Sequence, residues 1–116
     1  MRCEIVLLVE NIDVCRYFYR EVFGLGEPVC DSNFQTVFVL NEFTSLVLER
    51  CELPYLEHAS GACRFTVEVA DFTAFSERMQ KNGTPLSAGF SRMDNDLYCG
   101  SDPEGNLFQV RSVSGK

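Results

Sequence analysis

The sequence predicts an α+β fold made of two copies of one unit, in which a strand is followed by a helix and then by three strands. One observation is a repeated transition from strand to helix: residues 7–11 (LLVEN) and 67–71 (VEVAD) each end an apolar strand at a residue that caps helices well. A second is that apolar residues at helical spacing follow each transition. Because half of the chain cannot bury both faces of its sheet, we expect the two βαβββ modules to pack side by side and form a curved mixed sheet around a cleft.

The first module covers about residues 1–52. Residues 4–9 form an apolar run typical of a strand, after which Asn11 and Asp13 offer capping side chains. A helix is predicted over residues 14–23, with Gly24 and Gly26 ending it. Three short strands are predicted next, around residue 29 and over residues 36–40 and 45–48.

A linker of about residues 53–61 then leads into the second module, which covers about residues 62–116. Its first strand is predicted over residues 64–69 and its helix over residues 74–80, ending at Asn82 and Gly83. Further strands are predicted around residues 86–87, 91–92, 97–99 and 107–111. The 116 residues are therefore expected to form a single domain.

The turn before the last strand is the most distinctive segment of the chain. It reads Asp102, Pro103, Glu104, Gly105 and Asn106. Proline suits the second position of a tight turn, and glycine accepts the left-handed backbone that follows. The apolar strand after this turn carries one polar residue, Gln109.

Charge and composition exclude some functions. Ten basic and seventeen acidic residues give a net charge of −7, which argues against nucleic acid as a partner. This charge is compatible with a cationic small ligand, although solubility alone also explains it. No apolar stretch approaches the roughly 20 residues of a membrane helix, and the first residues do not resemble an export signal, so a cytoplasmic protein is expected.

The six cysteines are widely spread and include no CxxC pair, so we expect reduced, mostly buried thiols rather than a disulfide scaffold. A nucleophilic cysteine would require an activating base. The only histidine, His58, lies in the linker, and no catalytic residue is predicted.

Three segments of the chain resemble the vicinal oxygen chelate superfamily, which contains glyoxalase I, extradiol dioxygenases and the bleomycin- and fosfomycin-resistance proteins. They are residues 9–26, residues 75–83 and the turn at residues 102–106. The resemblance implies the two-module fold described above. It leaves the function open, because this fold serves several metal-dependent reactions as well as metal-free binding.

The enzymes of this superfamily carry up to four metal ligands, on the first and last strands of each module. The resemblance places these positions at Glu4, Val47, Arg64 and Gln109. Of these, Glu4 is a good ligand, Gln109 a weak neutral donor, and neither Val47 nor Arg64 can serve. A catalytic divalent ion usually needs three strong protein ligands, so no metal and no other cofactor is expected.

The same positions suggest a cleft for a small molecule. Glu4 and Arg64 would form a charge-assisted pair across its floor, or else, with the register shifted by one, both would point to solvent. Gln109 would hydrogen-bond a ligand, or contact only water. Tyr98 would add an aromatic wall or belong to the core. The same two alternatives apply to Phe38 and Phe90, while Glu49 lies at the cleft edge or at a solvated strand end.

Three functions follow from the resemblance. The first is a metal-free, non-catalytic binder of small molecules that sequesters drugs. The second is a metal-dependent lyase or thiol transferase, and the third is a structural or regulatory dimerising module. A homodimer is expected for all three, because many single-chain members of the superfamily pair.

Overall fold

The computed structural model describes residues 1–51, 64–88 and 97–113 of the chain, and in it the predicted α+β class with two βαβββ modules is confirmed. Module 1 contains β1 (Cys3–Val9), α1 (Ile12–Tyr17), a π-helical turn (Phe18–Val22), β2 (Cys30–Asp31), β3 (Gln35–Val39) and β4 (Thr44–Arg50). Module 2 contains β5 (Arg64–Val69), α2 (Phe72–Lys81), β6 (Ser87–Ala88), β7 (Leu97–Ser101) and β8 (Leu107–Ser112). The strand predicted at residues 91–92, Phe90 and His58 lie outside the described residues.

Each module forms its own four-stranded mixed sheet with the same topology. The order is β1-β4-β3-β2 in sheet 1 and β5-β8-β7-β6 in sheet 2. In both sheets the first strand of the module pairs in parallel with the last, and the other pairings are antiparallel. β1 and β5 are therefore edge strands among the described strands.

The helix entries confirm the internal repeat at atomic detail. The Asn11 side chain accepts a hydrogen bond from the Val14 backbone N–H at 3.2 Å. The Asp71 side chain accepts the equivalent bond from the Ala74 N–H at 3.0 Å. Each cap satisfies a backbone donor that the first turn of a helix leaves without a partner.

The first helix differs from the prediction of one continuous α-helix. After Tyr17 it widens into a π-turn, in which the Phe23 N–H donates to the Phe18 carbonyl at 2.8 Å. Four large side chains there are almost fully buried: Phe18, Tyr19, Val22 and Phe23. The wider turn places Phe23 above Phe18, so that all four side chains face the core. Gly24 then ends the segment at a φ of +90°, a backbone conformation that glycine adopts without strain.

Aromatic rings of this helical segment join the two modules into one core. The Phe23 ring centroid lies 5.0 Å from that of Phe75 and 5.1 Å from that of Phe108, both in module 2. On the module 1 side, Tyr19 lies 6.5 Å from Phe38 of β3. The core faces of both sheets therefore pack on the same helical segment, and the opposite faces of the sheets point away from it. None of the helices in the described part of the chain has the length and apolar character needed to cross a bilayer.

Candidate functional site

The face of sheet 2 that points away from the helices carries a pocket of about 400 Å³. Strand register places on this face Arg64 and Thr66 of β5, Gln109 of β8, Cys99 of β7 and Ser87 of β6. All the described residues that line the pocket belong to module 2. The last strand, which follows the turn singled out in the sequence, thus lies at its floor.

Gln109 is the most buried polar group of the pocket wall, with 7% of its surface exposed. Its carbonyl Oε1 accepts a hydrogen bond from the Thr66 hydroxyl at 3.2 Å. Its Nε2 has no hydrogen-bond partner among the described residues. Every fully enclosed side-chain nitrogen or oxygen in the described structure has a partner, so this Nε2 is not enclosed. Within the described structure, the amide N–H₂ of Gln109 is therefore open to the pocket and able to donate to a bound molecule.

Arg64 supplies a cation to the same pocket. Its side chain is exposed, and within residues 1–51, 64–88 and 97–113 the ion pairs involve Arg16, Arg20 and Arg111 instead. No aspartate or glutamate occurs among the described lining residues. The described wall therefore offers a guanidinium, an amide N–H₂ and the hydroxyl of Ser101, each of which can donate a hydrogen bond. Its other two hydroxyls, those of Thr84 and Ser87, already donate to groups within module 2.

Glu4 and Val47 lie on the corresponding face of sheet 1. In the register, Glu4 pairs with Ser45 and Val6 with Val47, so Glu4, Val6 and Val47 share one face. Glu49 lies two residues beyond Val47 on this face and is exposed. The four positions taken from the resemblance are thus divided, with two on each sheet.

Glu4 and Arg64 form no ion pair with each other in the described structure. They lie on the edge strands of two different sheets. The core faces of these sheets pack on one shared core, and the outer faces that carry Glu4 and Arg64 point away from it. The predicted pair across a common cleft floor is therefore absent within one chain.

The four positions do not fit a metal ion. Val47 has no donor atom and is 1% exposed, and Arg64 is a cation. The carbonyl of Gln109 already accepts the Thr66 hydroxyl, and Glu4 lies on the other sheet. Elsewhere in the described ranges, no three side chains of histidine, cysteine, aspartate or glutamate come together as a candidate metal site.

Tyr98 and Phe38 lie on the core side of their sheets, away from the pocket. Tyr98 pairs with Val110 in the register, whereas its neighbour Cys99 pairs with Gln109. The Tyr98 ring therefore points towards α2 and lies 4.7 Å from the ring of Phe72. Phe38 is 1% exposed. Sequence reasoning missed Cys99 and Thr66, although a count of strand alternation from Gln109 would have placed both on its face.

A second and larger groove, of about 880 Å³, runs along the edge of β5 between the two modules. Its two arginines already have partners. Arg78 donates to the carbonyls of Val22 and Phe23 at 3.2 Å each, and Arg111 lies 3.7 Å from Glu68. Volume therefore favours this groove, whereas unengaged hydrogen-bond donors make the pocket at Gln109 the better candidate site for a polar ligand.

The turn at residues 102–106, here called the junction turn, fastens module 2 to the start of α1. The Glu104 carboxylate accepts the backbone N–H groups of Glu10, at 2.7 Å, and of Asn11. The Asp102 carboxylate accepts the Tyr19 hydroxyl at 2.8 Å. Gly105, at a φ of +85°, closes the turn by donating its N–H to the Asp102 carbonyl at 3.0 Å. The turn identified from the sequence therefore has a structural task at the module junction.

Cys15 is expected to resist thiol reagents as long as the junction is closed. The thiol is fully buried, and its Sγ lies 3.7 Å from the Glu104 carboxylate. Burial first, and then the charges of Asp102 and Glu104, raise the pKa of Cys15 far above its ordinary value of 9.0. Alkylation of the native protein, followed by peptide mass spectrometry, should modify the exposed Cys3 and Cys30 and spare Cys15.

The same raised pKa predicts a loss of stability in alkali. Because the folded thiol stays protonated, its contribution is complete below pH 9.0 and is lost as the pH rises above that value. Cys15→Ala should flatten the decline of unfolding free energy above pH 9.0. Fast labelling of Cys15 in the native state, or an unchanged alkaline slope in the variant, would contradict this assignment.

Comparisons with known proteins identify the fold from structure alone. No protein-family model matches the sequence, and no curated protein sequence matches it significantly. The fold resembles that of a glyoxalase/bleomycin resistance protein from Catenulispora acidiphila, with a TM-score of 0.71 and 19% identity over 97% of this chain and 98% of that one.

Two further solved structures are of proteins that bind antibiotics. TnmS3, an antibiotic binding protein from Streptomyces sp. CB03234, matches with a TM-score of 0.75 and 19% identity, covering 97% of this chain and 94% of that chain. The bleomycin-binding protein of Streptomyces verticillus, solved with copper(II)-bleomycin, matches with a TM-score of 0.71 and 16% identity, covering 97% and 95%. These identities are low, so the likeness concerns the fold.

Proposed function

Since the chain has the fold of the glyoxalase/bleomycin-resistance proteins, we propose that it binds a small organic molecule at the module 2 pocket, without a metal ion and without chemical turnover. The observation that carries this proposal is the side chain of Gln109, which is almost buried yet has an N–H₂ donor without a partner among the described residues, next to a pocket of about 400 Å³. A pocket of this size, with a few convergent polar groups, suits a small ligand. Sequestration of a drug is the form of binding that the antibiotic-binding neighbours support.

The proposal includes a homodimer. The outer face of sheet 1 carries Val6 and Val39, which are 41% and 50% exposed. This face also carries the exposed Glu4 and Glu49. Its valines, together with the edge strands β1 and β5, give a second copy of the chain a surface to cover. The cytoplasmic location expected from the sequence is also part of the proposal.

A titration of chelator-treated protein tests the binding function. A panel of aromatic antibiotics and other organic molecules should yield at least one ligand by calorimetry, with binding unchanged when divalent metals are added. Elemental analysis of the untreated protein should find no stoichiometric metal, and sedimentation should give the dimer mass. Stoichiometric zinc, nickel, manganese or iron, or binding that requires added metal, would favour the metal-dependent lyase or transferase instead.

A further inference from the structure

We propose that the module 2 pocket takes the carboxylate group of an organic anion, although the chain as a whole is acidic. This inference rests on the proposed function and names the ligand class for the same pocket. It differs from the cationic ligand with which the net charge of −7 is compatible.

The hydrogen-bonding groups of the pocket wall favour a carboxylate. The Thr66 hydroxyl occupies one acceptor position of the Gln109 carbonyl, and the amide N–H₂ is the part of this side chain that has no partner among the described residues. Two further groups face the same space, the guanidinium of Arg64 and the hydroxyl of Ser101, and neither has a hydrogen-bond or ion-pair partner in the described parts of the chain. A ligand group that accepts several hydrogen bonds matches this wall, and a carboxylate accepts more of them than a neutral carbonyl does.

The charge of the residues around the pocket also favours a carboxylate. The described lining contains the arginine and no carboxylate. Glu68 is the nearest acidic residue on this face of β5 and lies two positions beyond Thr66. Its Oε2 is 3.7 Å from Nη1 of Arg111. An ammonium group in the pocket would meet Arg64 and gain no anion, whereas a carboxylate would form a charge-assisted pair with it.

A set of three matched probes tests the charge preference. These are 2-naphthoate, its neutral amide 2-naphthamide, and the cation 2-naphthylmethylammonium, which share one aromatic body. Calorimetry or nuclear magnetic resonance titration should show that the carboxylate binds about tenfold more tightly than the other two. Equal affinities, or tighter binding of the ammonium, would overturn the inference.

Two variants assign the preference to the pocket. Arg64→Met should remove most of the discrimination, and Gln109→Glu should abolish carboxylate binding, because a carboxylate then replaces the amide donor. Arg2→Met, which removes the same charge from an exposed residue outside the module 2 pocket, should leave the discrimination intact. Retained discrimination in Arg64→Met protein that keeps its wild-type melting temperature would overturn the inference.

The outcomes separate the inference from the proposed function. If the wider panel yields a ligand while all three naphthyl probes fail to bind, the carboxylate inference is wrong and the binding function stands. If neither the panel nor the probes bind, both are wrong.

Discussion

Replacing Asp102 with alanine is expected to lower the free energy of unfolding by about 3 kcal/mol, a large part of the stability of a domain of this size. The carboxylate is 5% exposed and accepts hydrogen bonds from the Tyr19 hydroxyl, the backbone N–H groups of Glu104 and Asn106, and the Asn106 side chain. Its loss leaves the fully buried Tyr19 hydroxyl without an acceptor and frees the junction turn. Urea denaturation followed by circular dichroism measures the change.

Tyrosine variants provide the matched control for Asp102. Tyr19→Phe should cost about 1 kcal/mol, because it removes one hydrogen bond and leaves the carboxylate its other donors. Tyr17→Phe should cost nothing measurable, since Tyr17 is 53% exposed. In a double-mutant cycle, Asp102→Ala and Tyr19→Phe should be coupled. Additive effects, or an Asp102→Ala protein as stable as wild type, would show that the junction turn does not hold the modules together.

Phe23→Ala is expected to cost about 3–5 kcal/mol, as large-to-small changes of buried aromatic residues do. Phe23 is 4% exposed, and its ring lies within 5.1 Å of both Phe75 and Phe108 in module 2. The cavity left by the missing ring would therefore lie between the modules as well as within the first helical segment. Differential scanning calorimetry should show a lower melting temperature.

Phe34→Ala is the control for the core substitution, because Phe34 is 67% exposed. It should change stability by less than about 0.5 kcal/mol. Equal losses from Phe23→Ala and Phe34→Ala would contradict the placement of the first helical segment between the two sheets.

Local patterns of the sequence were enough to predict the repeat. Asn11 and Asp71 each cap a helix, as the matched segments at residues 7–11 and 67–71 predict. The change from α- to π-helix after Tyr17 was not predictable in this way. It depends on the packing of Phe23 against rings of module 2, and such contacts between distant parts of the chain leave no periodic signal.

The site was predictable only in part, for a similar reason. Arg64 and Gln109 are both in the pocket wall, but assigning Tyr98 to the correct face depends on the exact register of β7 with β8. A shift of one residue exchanges the two faces of a strand. The hydrogen bond from the Glu10 N–H to Glu104 joins residues 94 positions apart, so nothing in the local sequence of either residue indicates it.

The four positions taken from the resemblance are divided between the two sheets, and this also bears on function. Glu4 and Val47 belong to the face of sheet 1, and Arg64 and Gln109 to the face of sheet 2. Neither sheet therefore carries all four positions in one chain. The proposed ligand site accordingly uses the two positions on sheet 2.

A small molecule bound on the module 2 face, as proposed, would cover Cys99, so the reactivity of this thiol is a direct measure of binding there. The thiol lines the pocket, and its Sγ is 3.4 Å from the Ala88 carbonyl. Rates of alkylation by iodoacetamide are compared with and without a saturating ligand from the titration panel, and each cysteine is read separately by peptide mass spectrometry. A bound ligand should slow the modification of Cys99 and leave that of Cys3, which is exposed on β1, unchanged. Modification of Cys99 at the same rate in the free and the ligand-bound protein would show that the ligand binds elsewhere.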